Sequence, residues 1–480
     1  IPTAGTPDRN NNFAGDMDYL SGRYILQTPA PPCGAGNQKG GCIPTPAGAP
    51  AGWLPDHVVV AEGGKVWKDT KLNFQPRFGL AYRLGAKTVL RASSGIFFDN
   101  FSGVTQLARN FIGTYPALGW QSAANLNYAA PGQLTPNVSA FNPLPSATLP
   151  VSNPFSQSTY AGDPNWKNAY SIQWNGGFQH QVAKNVLMSV NYVGSGSRRL
   201  DIGGFYNVAT TPGPGDSTQR QPFPYIRPTY YDRSWGRGSY QSLQFLYDKK
   251  YSNGFAYMVN YTYSKSIDIG CSGWYGVEGC SIQNPYKFNN DRSVSGFDLT
   301  HVFTANFNYQ LPFGPGQRFQ TGNKAVDYAL GNWQVNGILL LRSGVPYSLA
   351  ISGDIANTGN AGTYMRLDLV GNPRLSSGRT TARWFDTSAV KAPAPFTFGN
   401  SGRNILRTDG FENVDFSIFR IFKLPREGTN LEFKVESFNL ANHPVYGTPG
   451  ANLSSAQTFG RVTGTANSAR QMQFGLKLNF

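Results

Sequence analysis

Apolar and polar residues alternate one by one through many short stretches of this chain. At the C-terminal end, Met472, Phe474, Leu476, Leu478 and Phe480 alternate with Gln471, Gln473, Gly475, Lys477 and Asn479. A period of two describes a strand with one apolar and one polar face. The pattern recurs in pairs. Phe74, Phe78, Leu80 and Tyr82 share one face and Gln75, Arg77, Gly79 and Arg83 the other. After a turn at 85–87, Leu90, Ala92, Ile96 and Phe98 oppose Arg91, Ser93 and Gly95. Tyr170, Ile172, Trp174 and Phe178 lead to a turn at 183–185, and Val186, Met188, Val190 and Tyr192 follow it. Residues 239–249 and 255–264 form a third pair, with the stripe Phe255, Tyr257, Val259, Tyr261 and Tyr263. Residues 299–311 and 333–345 form a fourth, joined by a longer turn. Residues 414–424 and 431–438 form a fifth, where Leu431, Phe433 and Val435 oppose Glu432, Lys434 and Glu436.

The total is about eleven strands, each near the roughly ten residues that a tilted membrane strand needs. Their connections run short, long, short, long. A soluble sandwich turns at more even intervals. Outer-membrane barrels pair short periplasmic turns with long external loops. The pattern therefore predicts an all-β, antiparallel transmembrane β-barrel over 74–480, with 1–73 as an extracellular loop region. Short strands are expected in that region near Tyr24 and over Val58–Val60. The apolar faces meet lipid and the polar faces a watery lumen. Arg77, Arg91, Asp415, Glu432, Lys434 and Glu436 are thus expected to face the lumen. The basic residues among them could guide anionic solutes. The preferred reading is a salt-bridged wall, because Glu432 and Glu436 flank Lys434. Single-chain bacterial barrels have even strand numbers. An odd count in a chain starting at Ile1 predicts earlier strands upstream, or a weak one within 1–70.

Composition supports the membrane reading. Charged residues are 14%, against about 25% in typical soluble domains, and aromatics are also 14%. No apolar run approaches the roughly 20 residues of a membrane helix, which leaves a barrel open. The net charge of +15 raises nucleic-acid binding. The basic residues are scattered and match no nucleic-acid module, so no nucleic-acid partner is expected. Cys33 and Cys42, and Cys271 and Cys280, form two pairs of equal spacing in Gly-rich stretches. Local disulfides in an oxidising compartment are expected; zinc competes, but neither pair has a nearby His. The stretch 34–40 resembles a phosphate loop only loosely and has the wrong spacing. No nucleophile-elbow, zinc-protease or P-loop motif is present, so neither catalysis nor a cofactor is expected. His443, beside Pro444, reads as structural. In loop 100–166, Tyr115, Trp120, Asn125 and Tyr128 could stack on and hydrogen-bond a ligand, or pack the loop on itself.

Several stretches together resemble a known family: Phe398-Gly399-Asn400-Ser401-Gly402-Arg403-Asn404-Ile405-Leu406-Arg407, the segment 410–417, Phe433-Lys434-Val435-Glu436-Ser437-Phe438-Asn439, and Tyr261-Thr262-Tyr263-Ser264-Lys265-Ser266-Ile267-Asp268. The chain resembles TonB-dependent outer-membrane receptors of the Oar-like type over roughly 74–480. The resemblance implies a 22-stranded barrel, of which these strands form the C-terminal half. It implies a lumenal plug and a TonB box in an N-terminal region that this sequence does not contain. It implies capture of a large or scarce solute at external loops and passage through the lumen, with adhesion or passive conduction as alternatives. The partners implied are outer-membrane lipid and lipopolysaccharide, the TonB complex, and the barrel assembly machinery, which would read Phe480 as its signal.

Overall fold

The computed structural model describes residues 15–29, 43, 45–66, 68, 72–99, 155, 161–269, 282–320, 322–360 and 364–480. Eleven strands follow one another in an antiparallel meander: β1 (Arg77–Arg83), β2 (Thr88–Phe98), β3 (Tyr170–Ala183), β4 (Val186–Tyr206), β5 (Thr229–Ser252), β6 (Phe255–Asp268), β7 (His301–Gln310), β8 (Gln334–Arg342), β9 (Phe411–Lys423), β10 (Asn430–Phe438) and β11 (Gln471–Asn479). The sheet is open, with β1 and β11 as its edges.

Register fixes the faces, because directly opposed residues on antiparallel strands point the same way. Phe474 opposes Val435, Val435 opposes Ile418, Ile418 opposes Val335, Val335 opposes Tyr309, and Tyr309 opposes Phe255. That row is apolar throughout. Tyr261 sits between Phe245 and Phe303 on the same face. Many of these side chains are exposed, including Phe78, Leu80, Leu243, Tyr263 and Leu476. A contiguous apolar band of this extent has no aqueous explanation and meets lipid. The reverse face carries Ser93 against Asn175, Gln179 against Ser189, Asn191 against Gln244, and Asn308 against Asn336. Its polarity is interrupted. Ile338 opposes Asp415, Phe419 opposes Lys434, and Ile421 opposes Glu432.

One end of the sheet turns tightly, through 84–87, 184–185, 253–254 and 424–429. Asn253 and Gly254 both have positive φ, as a two-residue hairpin turn requires. The exception is 311–333, which carries helix α1 (Lys324–Leu330). The opposite end carries all the other long connections. There β4 and β5 run well past the sequence expectation, to Tyr206 and from Thr229. The stretch 194–204 is rich in Gly, Ser and Arg and lacks alternation, so sequence alone reads it as loop. It pairs nonetheless, through irregular register between Arg198, Leu200 and Ile202. Arg199 has φ 57°, which accommodates the bulge.

The described parts of the connections at that end pack into two cores. Gly15–Asp18, Arg23–Leu26 and Val58–Val60 form a small three-stranded sheet. Met17, Tyr24, Leu26 and Val58 pack there with Ile226, and with Tyr206 and Tyr231 near the ends of β4 and β5. A second core joins Leu349, Leu367, Trp384, Phe385 and Leu406 to Phe459 from the following connection.

Candidate functional site

Three aspartate–arginine pairs, each with a buried carboxylate, tie the second core to the sheet. Asp268 ends β6, and the connection leaving β6 carries Asp291 and Asp298. The connection 343–410 supplies Arg366, Arg403 and Arg407. Arg366 pairs with Asp291, Arg403 with Asp268, and Arg407 with Asp298. All three carboxylates are buried. Backbone carbonyls add to the guanidinium shells of Arg403 and Arg407. Arg403 Nε donates to Asp291 O at 3.1 Å, and Arg407 Nη1 donates to Gly344 O at 2.9 Å. The Ser266 amide donates to Asp298 Oδ1 at 2.6 Å, which anchors that carboxylate on β6. A buried ion pair is stable only with such added hydrogen bonds.

This geometry explains why 398–407 reads as a motif. Gly399 packs against the backbone of Arg366, and a Cβ there would lie 1.9 Å from the Arg366 carbonyl oxygen. The Asn404 side chain donates to Val294 O at 2.8 Å, from a backbone at φ 56°. Asn439, at φ 51°, plays a similar part beyond β10: its side chain donates to His443 O and to Ser468 O. His443 itself lies 3.9 Å from Glu412.

Beside the Arg366–Asp291 pair lies a cleft of about 480 Å³, where connections 207–228, 282–300 and 343–410 meet. Thr211, Asn284, Lys287, Asn290, Phe398 and Ser401 are among its walls. That volume falls within the range of small-molecule sites. Asp291 Oδ2, Arg366 Nε and Ser401 Oγ are buried without a hydrogen-bond partner among the described residues. Burial pushes the Asp291 carboxyl above its ordinary range, and the Arg366 guanidinium only partly opposes that. The cleft thus offers neutral amides and hydroxyls, one aromatic face and an exposed rim ammonium over a charged floor. None of Asp268, Asp291, Asp298 and Arg366 stood out as a site residue in the sequence, because each finds its partner far along the chain.

The six residues expected on the lumenal face share one sheet face by register. Arg77 opposes Gly95, with its guanidinium 4.7 Å from the Phe97 ring centre. Arg91 opposes Ala81 and Gly177. Lys434 Nζ lies 2.7 Å from Glu436 Oε1. Glu432 opposes Lys477. Asp415 accepts from the Asn439 amide and from Asn413 Nδ2, each at 2.9 Å, so it also fixes the end of β10. Phe480 is 95% exposed. Cys33, Cys42, Cys271 and Cys280, and Tyr115, Trp120, Asn125 and Tyr128, lie outside the described residues.

An eleven-stranded antiparallel wall with a lipid-facing band, tight turns at one end and packed loops at the other defines a bacterial outer-membrane β-barrel. The family model described as outer membrane beta barrel domain matches residues 6–473, and the chain belongs to that family. Its place is the outer membrane, with the tight turns periplasmic and the loop assembly outside. Comparison with curated proteins returned no match. Among solved structures, the chain is similar to the outer membrane transporter YddB from Escherichia coli, at 10% identity and a TM-score of 0.46, covering 85% of this chain and 41% of that one. It is similar to the siderophore receptor PirA from Acinetobacter baumannii, at 11% identity and 0.41, covering 85% and 41%. It is similar to the ferripyoverdine receptor of Pseudomonas aeruginosa, at 9% identity and 0.39, covering 85% and 33%. The chain spans less than half the length of each.

Proposed function

We propose that the protein is a TonB-dependent outer-membrane receptor of the Oar-like type. In this reading residues 1–73 belong to the external assembly, which captures a large or scarce solute. The polar face lines the lumen through which the solute passes to the periplasm. The TonB complex would act through a plug in an N-terminal region, the outer assembly would stand among lipopolysaccharide, and the assembly machinery would recognise the β11 end. The observation that carries the reading is the walled cleft beside Arg366 and Asp291, held at the mouth of the barrel by fixed ion pairs. A passive pore has no use for such a recess. The Lys434–Glu436 pair, beside Glu432, supports a salt-bridged wall against which a plug rests.

The test is uptake of a panel of labelled solutes by cells with and without TonB, repeated with Asn290→Trp, which fills the cleft rim. At least one solute should depend on both TonB and an open cleft. If TonB deletion leaves every uptake unchanged, the reading fails and the adhesin alternative takes its place.

A further inference from the structure

The connection 311–333 is unlike the other periplasmic turns. It folds into α1, which Asn323 caps by accepting from the Ala325 and Val326 amides at 3.0 and 3.4 Å. Gly314 and Gly331 touch backbone to backbone at its base; Gly314 has φ 97°, and a Cβ on it would lie 2.4 Å from Gly331 Cα. The compact turn nevertheless leaves Phe313, Phe319, Val326, Tyr328 and Leu330 exposed. Its only acidic residue, Asp327, is buried, whereas Arg318 and Lys324 are not.

Its position follows from Arg420. Register puts Arg420 opposite Phe433, and Phe433 opposite Leu476, so this arginine lies on the lipid-facing side of β9. A cation exposed to lipid there is costly, and Arg420 Nε has no hydrogen-bond partner among the described residues. Arg420 is buried under α1. Its Nη1 donates to Ala329 O at 2.8 Å, and Trp333 Nε1 donates to the same carbonyl at 3.0 Å. That carbonyl belongs to the last turn of α1, where helix carbonyls carry partial negative charge. The guanidinium also lies 4.3 Å from the Phe422 ring centre and 5.1 Å from that of Tyr328. The helix is therefore fastened to the outside of the wall, flush with the lower edge of the lipid-facing band.

We infer that this turn is a membrane-interface anchor, seated among the phospholipid headgroups of the periplasmic leaflet with Arg420 as its fastener. Three observations point to phospholipid. The exposed apolar residues continue a surface that already meets lipid. Tyr328 and Trp333 are the residue types that settle at headgroup depth. The accessible charges, Arg318 and Lys324, are both cationic and suit lipid phosphates.

The experiment places an environment-sensitive thiol probe at Leu330→Cys in the intact protein, reconstituted in phosphatidylethanolamine–phosphatidylglycerol vesicles. Unsubstituted protein, labelled in parallel, supplies the background from the native cysteines. Gly85→Cys, in a tight turn at the same end, is the aqueous control. Nitroxide lipids labelled near the headgroup should quench the Leu330 probe several-fold more than the Gly85 probe, independently of protein-to-lipid ratio. Equal quenching at the two sites, placing α1 in water, overturns the anchor. Quenching that appears only at high protein density overturns it in favour of contact between copies. In the Arg420→Met background the Leu330 signal should fall toward the Gly85 level while the sheet stays protease-resistant. An unchanged signal there removes the fastener role.

Discussion

Arg403→Met is the sharpest perturbation of the loop assembly. Arg403 pairs with Asp268 and donates to the main-chain oxygens of Asp268 and Asp291 at 3.0 and 3.1 Å, all out of solvent. Methionine retains much of the apolar stem and removes every donor. Asp268 is then a buried carboxylate without its cation, and breaking such a pair costs about 3–5 kcal/mol. At about 1.4 kcal/mol per factor of ten, local opening becomes roughly 150- to 5,000-fold more frequent. The cost should stay local, because the sheet ladders do not depend on this contact. Hydrogen exchange reads it at two amides: Ser295, which donates to Ser266 O, and Ser401, which donates to Leu367 O, each at 3.0 Å. Both should lose protection while amides in β6 and β7 keep theirs. Arg403→Met combined with Asp268→Asn, which removes the stranded charge, should recover about 2 kcal/mol or more. If the single and double variants open equally often, the penalty is not electrostatic and the clamp argument is wrong.

Other consequences are as specific. Asp291 holds its proton more tightly folded than unfolded, so its contribution is greatest below the ordinary value of 3.8 and declines as pH rises through its higher folded value. Exchange in 282–300, corrected for intrinsic rates, should therefore quicken over that rise, and Asp291→Asn should flatten the dependence. Gly399→Ala should cost about 1–3 kcal/mol of local stability by overpacking, and more than Gly402→Ala, whose Cβ would meet only the Ile405 side chain at 3.2 Å, by the same exchange measurement. Val259 faces lipid and Asn260 faces the other way. Val259→Arg should destabilise the barrel in bilayers by about 2–4 kcal/mol in a urea titration, and Asn260→Arg should cost far less.

The strands were legible because their information is local. Period two, read over residues such as Phe255 to Tyr263, states both that a strand exists and which side is apolar, and tight turns such as 253–254 fix its partner. The extensions of β4 and β5 were not legible. Gly194, Gly196, Gly203 and Gly204 leave no alternation to read, and their pairing is enforced by the opposite strand across a bulge. The clamps were less legible still. Arg403 and Asp268 lie far apart in sequence, and nothing near either residue names the other. The motif 398–407 was visible as a string of unusual residues. Its meaning, a glycine for close approach, an asparagine at positive φ, one arginine reaching back to the end of β6 and one to Asp298 in the connection that leaves it, appears only when the connections are folded together.

The long hairpin of β4 and β5 also sets a height. At about 3.4 Å per residue and a tilt near 45°, the strand Thr229–Ser252 rises roughly 55–60 Å along the barrel axis. The lipid-facing band of such barrels is only about 25 Å tall. Tyr206 and Tyr231, where the first loop core is mounted, therefore stand up to about 25 Å beyond the hydrocarbon edge. On the proposed function, an outer assembly at that elevation would project past the phosphate layer into the surface saccharides, so whatever reached it would arrive from the cell's surroundings without first crossing the charged base of that coat.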